Sequence, residues 1–426
     1  MSFRVDATDF VRFGESNVVA VHVDTRQHNS RWYPGAGIYR KVQLVVSDSI
    51  SIASWGTYVT TPEVSDAGTA VRVRTTIENH RDRPVSVKLD SELIDPLGRQ
   101  LAKTRATATI AQNGAHEYDQ GFKVSNPQRW DVTTPRLYKV ISHVLVDEQE
   151  VDSKETVFGI RTFEFSADDG FHLNGRRLQL YGVCLHHDHG PLGAAFYIRA
   201  MERQLQIMKD MGVNAIRTSH NPPAPELLDL CDRLGFVVWD EAFDKWDGTS
   251  TRPTDVPILE HNRKQIQNLI RRDRNHPSII VWSAGNEIFD LENGKMPNGP
   301  ELLRQQVQFF KELDPTRPAT LAHAVPESAR TPLDDSLDVA GWNYQRRYSI
   351  EREARPRLPI IYSESASAYS TRGYYQIPHP ADKVDYSAEL KITSYDHNAA
   401  TWADLADTEF ALMERDRFVA GEFVWT

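Results

Sequence analysis

The sequence predicts a β-sandwich followed by a (β/α)₈ barrel, and two observations carry this prediction. The pattern of the chain changes near residue 165: short alternating runs precede this point, and strand and helix patterns alternate strictly after it. The second region holds eight strand candidates in about the length that a (β/α)₈ barrel needs. A chain of 426 residues also exceeds one ordinary domain, so a multidomain protein is expected.

The composition is that of a globular protein and limits the partners. Hydrophobic residues make up 40% of the chain, and 49 Lys and Arg stand against 59 Asp and Glu, a net charge of −10. Nucleic acids and anionic membranes attract basic surfaces, so we expect neither as a partner. The composition leaves the compartment and the oligomeric state open, including a homo-oligomer of a longer protein.

Targeting and cross-linking signals are few. Cys184 and Cys231 are too few for a disulfide framework, and their spacing does not indicate a metal site. A run of about 18 apolar residues, which a membrane span requires, does not occur. The first residues, MSFRVDATDF, lack the apolar core of a signal peptide.

Before residue 165 the runs have the two-residue period of half-buried strands. This period is clear in residues 71–79 and 85–94, and turn signals separate the runs at the spacing typical of a sandwich. Asn174 and Gly175 then predict a hairpin turn that leads into the next domain.

After residue 165 each apolar strand pattern is followed by an amphipathic helical pattern. The strand candidates are residues 178–185, 214–219, 236–243, 279–287, 318–324, 339–344, 359–365 and 418–426. Helices are indicated by apolar residues at helical spacing, as at Ile198, Met201, Leu205 and Met208. Since a barrel needs one more helix to cover its eighth strand, we expect that the final helix is missing.

Functional side chains of such a barrel lie at the C-terminal ends of its strands. Here those ends carry His186, His187, Asp188, Arg217, Thr218, Ser219, His220, Asn221, Asp240, Glu241, Asn286, Glu287, Trp342, Asn343, Tyr344, Ser363, Glu364 and Trp425. Glu287 ends strand four and Glu364 ends strand seven, so the two should face each other across the mouth of the barrel. Two carboxylates placed in this way are what glycoside hydrolysis requires. Two unrelated carboxylates in surface ion pairs are the alternative.

The motifs at these strand ends resemble glycoside hydrolase family 2. That family has Asn-Glu after an apolar fourth strand, as in IIVWSAGNE (279–287), and Ser-Glu after an apolar seventh strand, as in PIIYSES (359–365). Further segments with this resemblance are residues 181–189, 214–223, 237–244, 272–287 and 421–426. Residues 31–44 look like the join between that family's jelly-roll domain and its sandwich domain, and residues 134–140 and 158–165 look like the last strands of the sandwich. The resemblance therefore covers nearly the whole chain.

The resemblance implies three domains. Residues 1–48 would be the C-terminal remnant of a jelly-roll sugar-binding domain, and residues 49–163 an immunoglobulin-like β-sandwich. Residues 164–426 would be the TIM-barrel catalytic domain without its final helix. On this interpretation the chain is cut at both ends, which also leaves an inactive carbohydrate-binding fragment as an alternative of another class.

The catalytic roles follow from the same resemblance. It implies that Glu287 is the acid/base and Glu364 the nucleophile of a retaining enzyme, whose two carboxyl groups stand about 5–5.5 Å apart. Asn286 resembles the residue that hydrogen-bonds the sugar 2-hydroxyl, and a structural capping role is the alternative. His186 and His220 match sugar-contacting histidines; metal ligation or a plain buried histidine would be the other interpretations.

Three further side chains are implied in the site. Arg217 is expected either to hold Glu364 or to pair with Asp240 or Glu241. Tyr344 matches a tyrosine that donates to the nucleophile, with simple packing as the alternative, and Trp425 resembles the aromatic platform under the sugar.

Departures from the family pattern and the choice of sugar complete the prediction. Metal-assisted members have a histidine after the acidic residue that follows DEA; this chain has Asp244, Lys245 and Trp246 there, so no metal and no cofactor are expected. Cys184 stands where many members have Asn, which puts contacts near it in doubt. Residues 341–353 and 363–375 look most like β-galactosidases, so a β-galactoside is the expected substrate, with β-glucuronidase or another β-glycosidase as the alternative.

Overall fold

The computed structural model describes residues 2–23, 37–246, 257–367, 370–385, 387 and 389–425. In the described residues before the sandwich, 2–23 and 37–49, there is one 3₁₀ turn, Thr8–Phe10, and no strand. The predicted join at 31–44 lies partly outside the described residues, and the jelly-roll remnant stays a prediction. Arg40 ties this region to the barrel, because its Nη1 and Nη2 donate to the carbonyls of Pro223 and Pro222 at 3.0 and 2.9 Å.

Seven antiparallel strands form the predicted sandwich. They are β1 Ile50–Thr60, β2 Gly68–Asn79, β3 Val85–Ile94, β4 Gln100–Ile110, β5 Gly114–Ser125, β6 Tyr138–Val146 and β7 Gln149–Phe158. One sheet has the order β1-β2-β5 and the other β4-β3-β6-β7. Side chains alternate between buried and outer positions along β2 and β3, which confirms the two-residue period at 71–79 and 85–94.

A small sheet joins the sandwich to the barrel. It consists of β8 Phe163–Ser166, β9 Gly170–Leu173 and β10 Arg176–Arg177, in the order β10-β9-β8. Asn174 and Gly175 have φ of 54° and 76°, the left-handed values of a two-residue hairpin turn, and this prediction is confirmed. The expectation that residues 158–165 form one of the sandwich's last strands is wrong, since Phe158 ends β7 and Phe163 begins this separate sheet.

Eight parallel strands close into a barrel in sequence order, as predicted. They are β11 Leu180–Cys184, β12 Ala215–Arg217, β13 Val237–Glu241, β14 Ile279–Asn286, β15 Ala319–His323, β16 Ala340–Asn343, β17 Ile360–Ala366 and β18 Val419–Trp425. Strands β13 to β17 are buried along their whole length. This is why their sequences read as continuous apolar runs rather than as alternating ones.

Helices cover the outside of the barrel. They are α1 Ile198–Asp210, α2 Pro225–Leu234, α3 Ile258–Asp273, α4 Phe289–Glu292, α5 Gly299–Leu313, α6 Tyr348–Ala354 and α7 Ala406–Arg415, with 3₁₀ turns at Gly190–Leu192, Pro326–Arg330 and Pro332–Ser336. Their apolar faces, including Leu205, Leu228, Ile266 and Phe310, pack against the strands in one core. Among the helices in the described ranges, none has the length and apolar character needed to cross a bilayer.

Asp314, at the end of α5, fastens the sandwich to the barrel. Its Oδ1 accepts from the Tyr58 hydroxyl of the sandwich at 2.7 Å, while its Oδ2 accepts from Trp282 Nε1 at 3.0 Å and Arg317 Nη1 at 2.5 Å. Burial alone would raise the pKa of Asp314, but the charge of Arg317 and these hydrogen bonds outweigh it and lower the pKa to about 2. The carboxylate is therefore ionised, buried and shared between two domains.

We expect Asp314→Ala to lower the free energy of unfolding by about 3–5 kcal/mol, because it leaves the buried Arg317 cation without its partner. Urea unfolding at pH 7 would measure this loss. The stabilisation by Asp314 is present above pH 3.8 and disappears as the pH falls toward about 2, so the two proteins should converge in acid. Glu301→Gln, in an exposed pair with Arg304, is the control and should leave the unfolding midpoint unchanged; an equally small effect of Asp314→Ala would contradict the prediction.

Candidate active site

The side chains predicted for the site all lie at the C-terminal ends of the barrel strands or directly after them. His186 follows β11, Arg217 ends β12 with His220 soon after it, Asn286 ends β14 and Glu287 follows it, Tyr344 follows β16, Glu364 lies in β17, and Trp425 ends β18. Because the strands are parallel and close on themselves, these ends surround one mouth.

Glu364 has an almost fully buried carboxylate that several side chains hold. Its Oε1 accepts a hydrogen bond from Arg217 Nη1 at 2.8 Å, and His220 Nε2 lies 3.5 Å from the same oxygen. The Tyr344 hydroxyl also hydrogen-bonds this carboxylate. Burial raises the pKa of Glu364 to about 7; the charge of Arg217 opposes this rise, and the negative charge of Glu287 adds to it. The two glutamates are therefore close enough for each to feel the charge of the other.

Glu287 lies beside different partners. Its backbone N–H donates to the Ala322 carbonyl at 2.8 Å, which holds the end of β14 against β15. Its Oε1 accepts from Asn343 Nδ2 at 3.0 Å, and its Oε2 lies 3.8 Å from Lys245 Nζ. The Glu287 side chain is 12% exposed and that of Glu364 is 3% exposed. Of the two carboxyl groups, Glu287 is thus the more accessible to a proton donor or acceptor.

Arg217 is fully buried and joins the elements of the site. Its Nη1 donates to Glu364 Oε1 at 2.8 Å and to the Ser363 carbonyl at 3.0 Å. Its Nη2 donates to Asn286 Oδ1 at 3.0 Å, and Nε and Nη2 donate to the Glu241 carboxylate at 3.2 and 3.0 Å. Burial alone would lower the pKa of Arg217, but the charges of Glu241 and Glu364 outweigh it and raise the pKa. The guanidinium is therefore charged in the folded protein.

Arg217 makes both kinds of contact that the sequence left open, but Asp240 is not one of its partners. Arg217 pairs with both Glu364 and Glu241, whereas Asp240 shares a hydrogen bond with Asp273. Burial, with the charge of Asp273 adding to it, raises the pKa of Asp240 well above its usual range. Asp240 therefore belongs to a carboxyl pair outside the site.

Two histidines and a tryptophan line another side of the mouth. The ring of Trp425 stacks on that of His220, with centroids 5.0 Å apart, and meets His186 edge-on at 4.5 Å. His220 Nδ1 lies 2.5 Å from Glu241 Oε1. Burial and the charge of Arg217 hold the pKa of His220 well below its usual range and lower the pKa of His186 to about 4. Both rings are therefore neutral at pH 7, and the Nδ1–H of His220 donates to Glu241.

Two amides, those of Asn343 and Asn286, connect Glu287 to the Arg217 guanidinium. Asn343 Nδ2 donates to Asn286 Oδ1 and to Glu287 Oε1, each at 3.0 Å, while its Oδ1 accepts from Ser363 Oγ at 2.7 Å. Asn286 Nδ2 donates to Asp244 Oδ1 at 3.1 Å. The N-cap of α4 is residue 288, without a side-chain cap, so Asn286 does not cap that helix.

The backbone turns abruptly where several strands reach the mouth. Left-handed φ values occur at Glu287 (46°), Tyr344 (53°), Gln345 (52°), Arg346 (54°), Ala366 (58°) and Ser367 (59°). Side-chain-bearing residues rarely adopt this conformation, and it persists where the surrounding structure enforces it. Here it directs Glu287 and Tyr344 out of their strands into the mouth.

Comparison with known proteins agrees with this architecture. Residues 166–382 match the description "Glycosyl hydrolases family 2, TIM barrel domain" and residues 51–161 match "Glycosyl hydrolases family 2". The chain belongs to glycosyl hydrolase family 2. The resemblance read from the sequence motifs is thereby confirmed, and so is the fold class of a sandwich followed by a TIM barrel.

Several members of family 2 are similar to this chain over much of its length. A β-galactosidase of Bacteroides ovatus is 39% identical over 100% of the chain and 55% of its own length. A β-glucuronidase of Bacteroides fragilis is 30% identical over 75% of the chain and 48% of its own length. The crystal structure of a family 2 member from Bacteroides cellulosilyticus has a TM-score of 0.81 and 34% identity, over 99% of this chain and 52% of that one. The chain thus spans about half the length of these relatives.

Three side chains of this family 2 site were not selected from the sequence. Glu241 and Asn343 stand at strand ends, but position alone could not tell which strand-end residues point inward. Lys245 was noted only because no histidine stands near it. The signal for Glu241 was a charged residue that ends β13 two positions after the apolar run 237–239. Within the part of the chain that the structure describes, no three His, Cys, Asp or Glu side chains could hold a metal ion.

We expect Arg217→Met to lower the free energy of unfolding by about 3–5 kcal/mol at pH 8, because it leaves Glu241 and Glu364 buried without a cation. Burial raises the pKa of both carboxyl groups, and removing Arg217 raises it further, so they stay protonated in the folded variant at pH 5. The loss should therefore be smaller at pH 5 and grow as the pH rises. Urea unfolding at the two pH values measures it, with Arg263→Met, from an exposed pair with Glu312, as control. An equal loss at both pH values would argue against the ion pairing.

Proposed function

We propose that this chain carries the catalytic site of a retaining exo-β-glycosidase that hydrolyses terminal β-galactosides. The observation that carries the proposal is the convergence of Glu287 and Glu364 on one barrel mouth, linked by Asn343 and Arg217. Retaining hydrolysis needs two carboxyl groups with different roles on the two sides of one glycosidic bond. Here Arg217 and Tyr344 hold the carboxylate of Glu364, while Glu287 is the more exposed of the two.

In the first step Glu364 acts as the nucleophile. Its carboxylate oxygen forms a bond to the anomeric carbon while the bond to the glycosidic oxygen breaks and Glu287 gives that oxygen its proton. Arg217 and Tyr344 hold the Glu364 carboxylate in place, so little reorganisation is needed for attack. The product is a glycosyl ester of Glu364, and the alcohol leaves.

In the second step Glu287 acts as a base. Once Glu364 is esterified its charge is gone, and the ionised Glu287 takes a proton from water as the water oxygen attacks the anomeric carbon. The ester bond breaks, Glu364 regains its charge, and the sugar is released with its original configuration. Glu287 is the more exposed of the two carboxyl groups, as this exchange with water requires.

The neutral rings and amides around this pair fit sugar hydroxyls. Asn286 lies beside Glu287, where its amide can contact a 2-hydroxyl, an interaction that strengthens as the ring flattens in the transition state. His186 and His220 can exchange hydrogen bonds with hydroxyl groups because burial keeps both neutral. Trp425 offers a ring face of the kind on which the apolar face of a sugar stacks.

The galactoside is favoured over other sugars by two observations. The family 2 relative from Bacteroides ovatus, a β-galactosidase, is 39% identical over the whole chain, whereas the Bacteroides fragilis β-glucuronidase is 30% identical over 75% of it. Residues 341–353 and 363–375 also look more like galactosidases than like glucuronidases in sequence. β-Glucuronidase is the second candidate, and sugar binding without turnover is the candidate of another class.

A panel of 4-nitrophenyl β-glycosides tests these candidates together. We expect cleavage of the β-galactoside to exceed that of the β-glucuronide, β-glucoside and β-mannoside, measured as kcat/KM. Glu364→Gln should reduce this value on the order of 10⁴-fold or more, since Gln cannot form the glycosyl ester. A higher kcat/KM for the glucuronide would establish the second candidate. Binding without cleavage in both proteins, seen by calorimetry, would leave only the sugar-binding fragment.

We further expect kcat/KM for the β-galactoside to fall as the pH drops below about 7, since the nucleophile must be ionised and burial raises the pKa of Glu364 to about 7. The fall should approach tenfold for each pH unit, as for loss of one ionised group. A pH series from 4.5 to 8, with unfolding followed at each pH, measures it. A rate that stays constant down to pH 5 would contradict a pKa near 7 for a nucleophilic Glu364.

A further inference from the structure

Lys245 is a nearly buried cation beside the carboxyl group that the proposed mechanism uses as acid and base. Its side chain is 8% exposed, and its Nζ lies 3.8 Å from Glu287 Oε2. Lysine is rarely buried to this degree without a partner that requires its charge. Two carboxylates, those of Asp244 and Glu287, lie within 4 Å of it.

The ammonium group is held in place from several directions. Nζ donates to Asp244 Oδ1 at 3.0 Å and to the Asn286 carbonyl at 3.2 Å, and it lies 5.2 Å from the centre of the Phe289 ring. The backbone N–H of Asn286 donates in turn to the Asp244 carbonyl at 2.8 Å. The loop that carries Lys245 is therefore clamped to the end of β14, the strand that presents Glu287.

The clamp extends through the next residue. Trp246 is buried, and its Nε1 donates to the Ala284 carbonyl of β14 at 2.8 Å. Fixing the four-carbon stem of a lysine costs conformational entropy, and the enclosed position removes part of the hydration of its charge. A single bond to the adjacent Asp244 would not need this enclosure, because that pair could form as well in solvent.

Each of the two carboxyl groups of the proposed mechanism has its own cationic neighbour. Arg217 contacts Glu364, and Lys245 lies beside Glu287, with Asp244 as its other carboxylate neighbour. Asp244 also accepts from Asn286 Nδ2 at 3.1 Å. Lys245 Nζ therefore lies between two carboxylates, that of Asp244 at 3.0 Å and that of Glu287 at 3.8 Å.

We propose that Lys245 is a positioning residue that stabilises the negative charge appearing on Glu287 as it gives its proton to the leaving oxygen. In that step the O–H bond of Glu287 breaks, the new O–H bond forms on the leaving oxygen, and the carboxylate left behind faces a fixed ammonium at 3.8 Å. A cation at this distance in a site of reduced dielectric favours the ionised product strongly. The proposal rests on the glycosidase function proposed above.

The dependence of the rate on the leaving group tests this role. A phenol of high pKa needs the proton of Glu287 to depart, whereas 2,4-dinitrophenolate departs without it. With Lys245→Met, which keeps most of the stem but removes the charge, kcat/KM for phenyl β-galactoside should fall on the order of tenfold. For 2,4-dinitrophenyl β-galactoside it should change by less than about twofold, so the plot of log(kcat/KM) against phenol pKa becomes steeper.

Two lysine variants serve as controls. Lys245→Arg keeps the charge and should restore much of the activity toward the phenyl galactoside. Lys209→Met removes a comparable lysine at another place, whose Nζ donates to the Val132 and Gly235 carbonyls and lies over the Phe236 ring at 4.9 Å. That variant should leave the slope of the plot unchanged, even if it lowers the unfolding midpoint.

A double variant separates the proposed role from a structural one. In a Glu287→Gln background the proton donor is gone, so adding Lys245→Met should cause no further loss on the phenyl galactoside. Equal losses of Lys245→Met on both galactosides, or the same loss in the Glu287→Gln background, would overturn the proposal and leave a structural lysine. Failure of the unaltered protein to cleave any aryl glycoside would instead refute the proposed function.

Discussion

The arrangement of the barrel mouth depends on one buried guanidinium. Arg217 donates hydrogen bonds to side chains or carbonyls of β13, β14 and β17. It therefore holds the ends of these strands together and also balances the charge of their carboxylates. The cost of placing a cation in the barrel interior is offset only when several acceptors surround it with good geometry. Glu241 is the second carboxylate that pairs with Arg217, so the guanidinium has acceptors on more than one side while it holds Glu364.

Glu364 and Glu287 differ in environment because their neighbours differ. Glu364 is buried against Arg217 and Tyr344, whereas Glu287 lies nearer to solvent among an amide and an ammonium. The same side chain can serve as nucleophile in one place and as proton carrier in another when its environment is arranged in this way. Asn343 and Asn286 connect Glu287 to Arg217 through neutral amides, without adding charge.

Much of the fold could be predicted from the sequence, because its strongest signals are local. The eight barrel strands and the Asn174-Gly175 turn follow from apolar runs and turn chemistry, which act over a few residues. The segment 158–165 was misassigned because two strands of different sheets meet there without a turn signal between them. For the site, the strand ends gave a set of candidates, and the resemblance of the Asn-Glu and Ser-Glu motifs to family 2 singled out Glu287 and Glu364.

What remained hidden in the site depends on contacts between distant segments. The sequence could not tell that Arg217 would pair with Glu241 rather than Asp240, since adjacent residues on a strand point to opposite faces and the choice depends on register. Lys245 lies on a loop, where no periodicity gives the direction of a side chain. Its position beside Glu287 is created by the hydrogen bonds that dock this loop on β14.

The left-handed residues at the mouth have a consequence for how this protein could adapt to heat. Glycine relieves such backbone positions, and at Gln345 or Ala366 it would remove local strain of the order of 1 kcal/mol. The same change would widen the range of conformations open to the segments that carry Tyr344 and Glu364. Selection for thermal tolerance alone would therefore favour substitutions that loosen the positions of Tyr344 and Glu364. Stabilising substitutions in the sandwich and the outer helices would leave these positions unchanged.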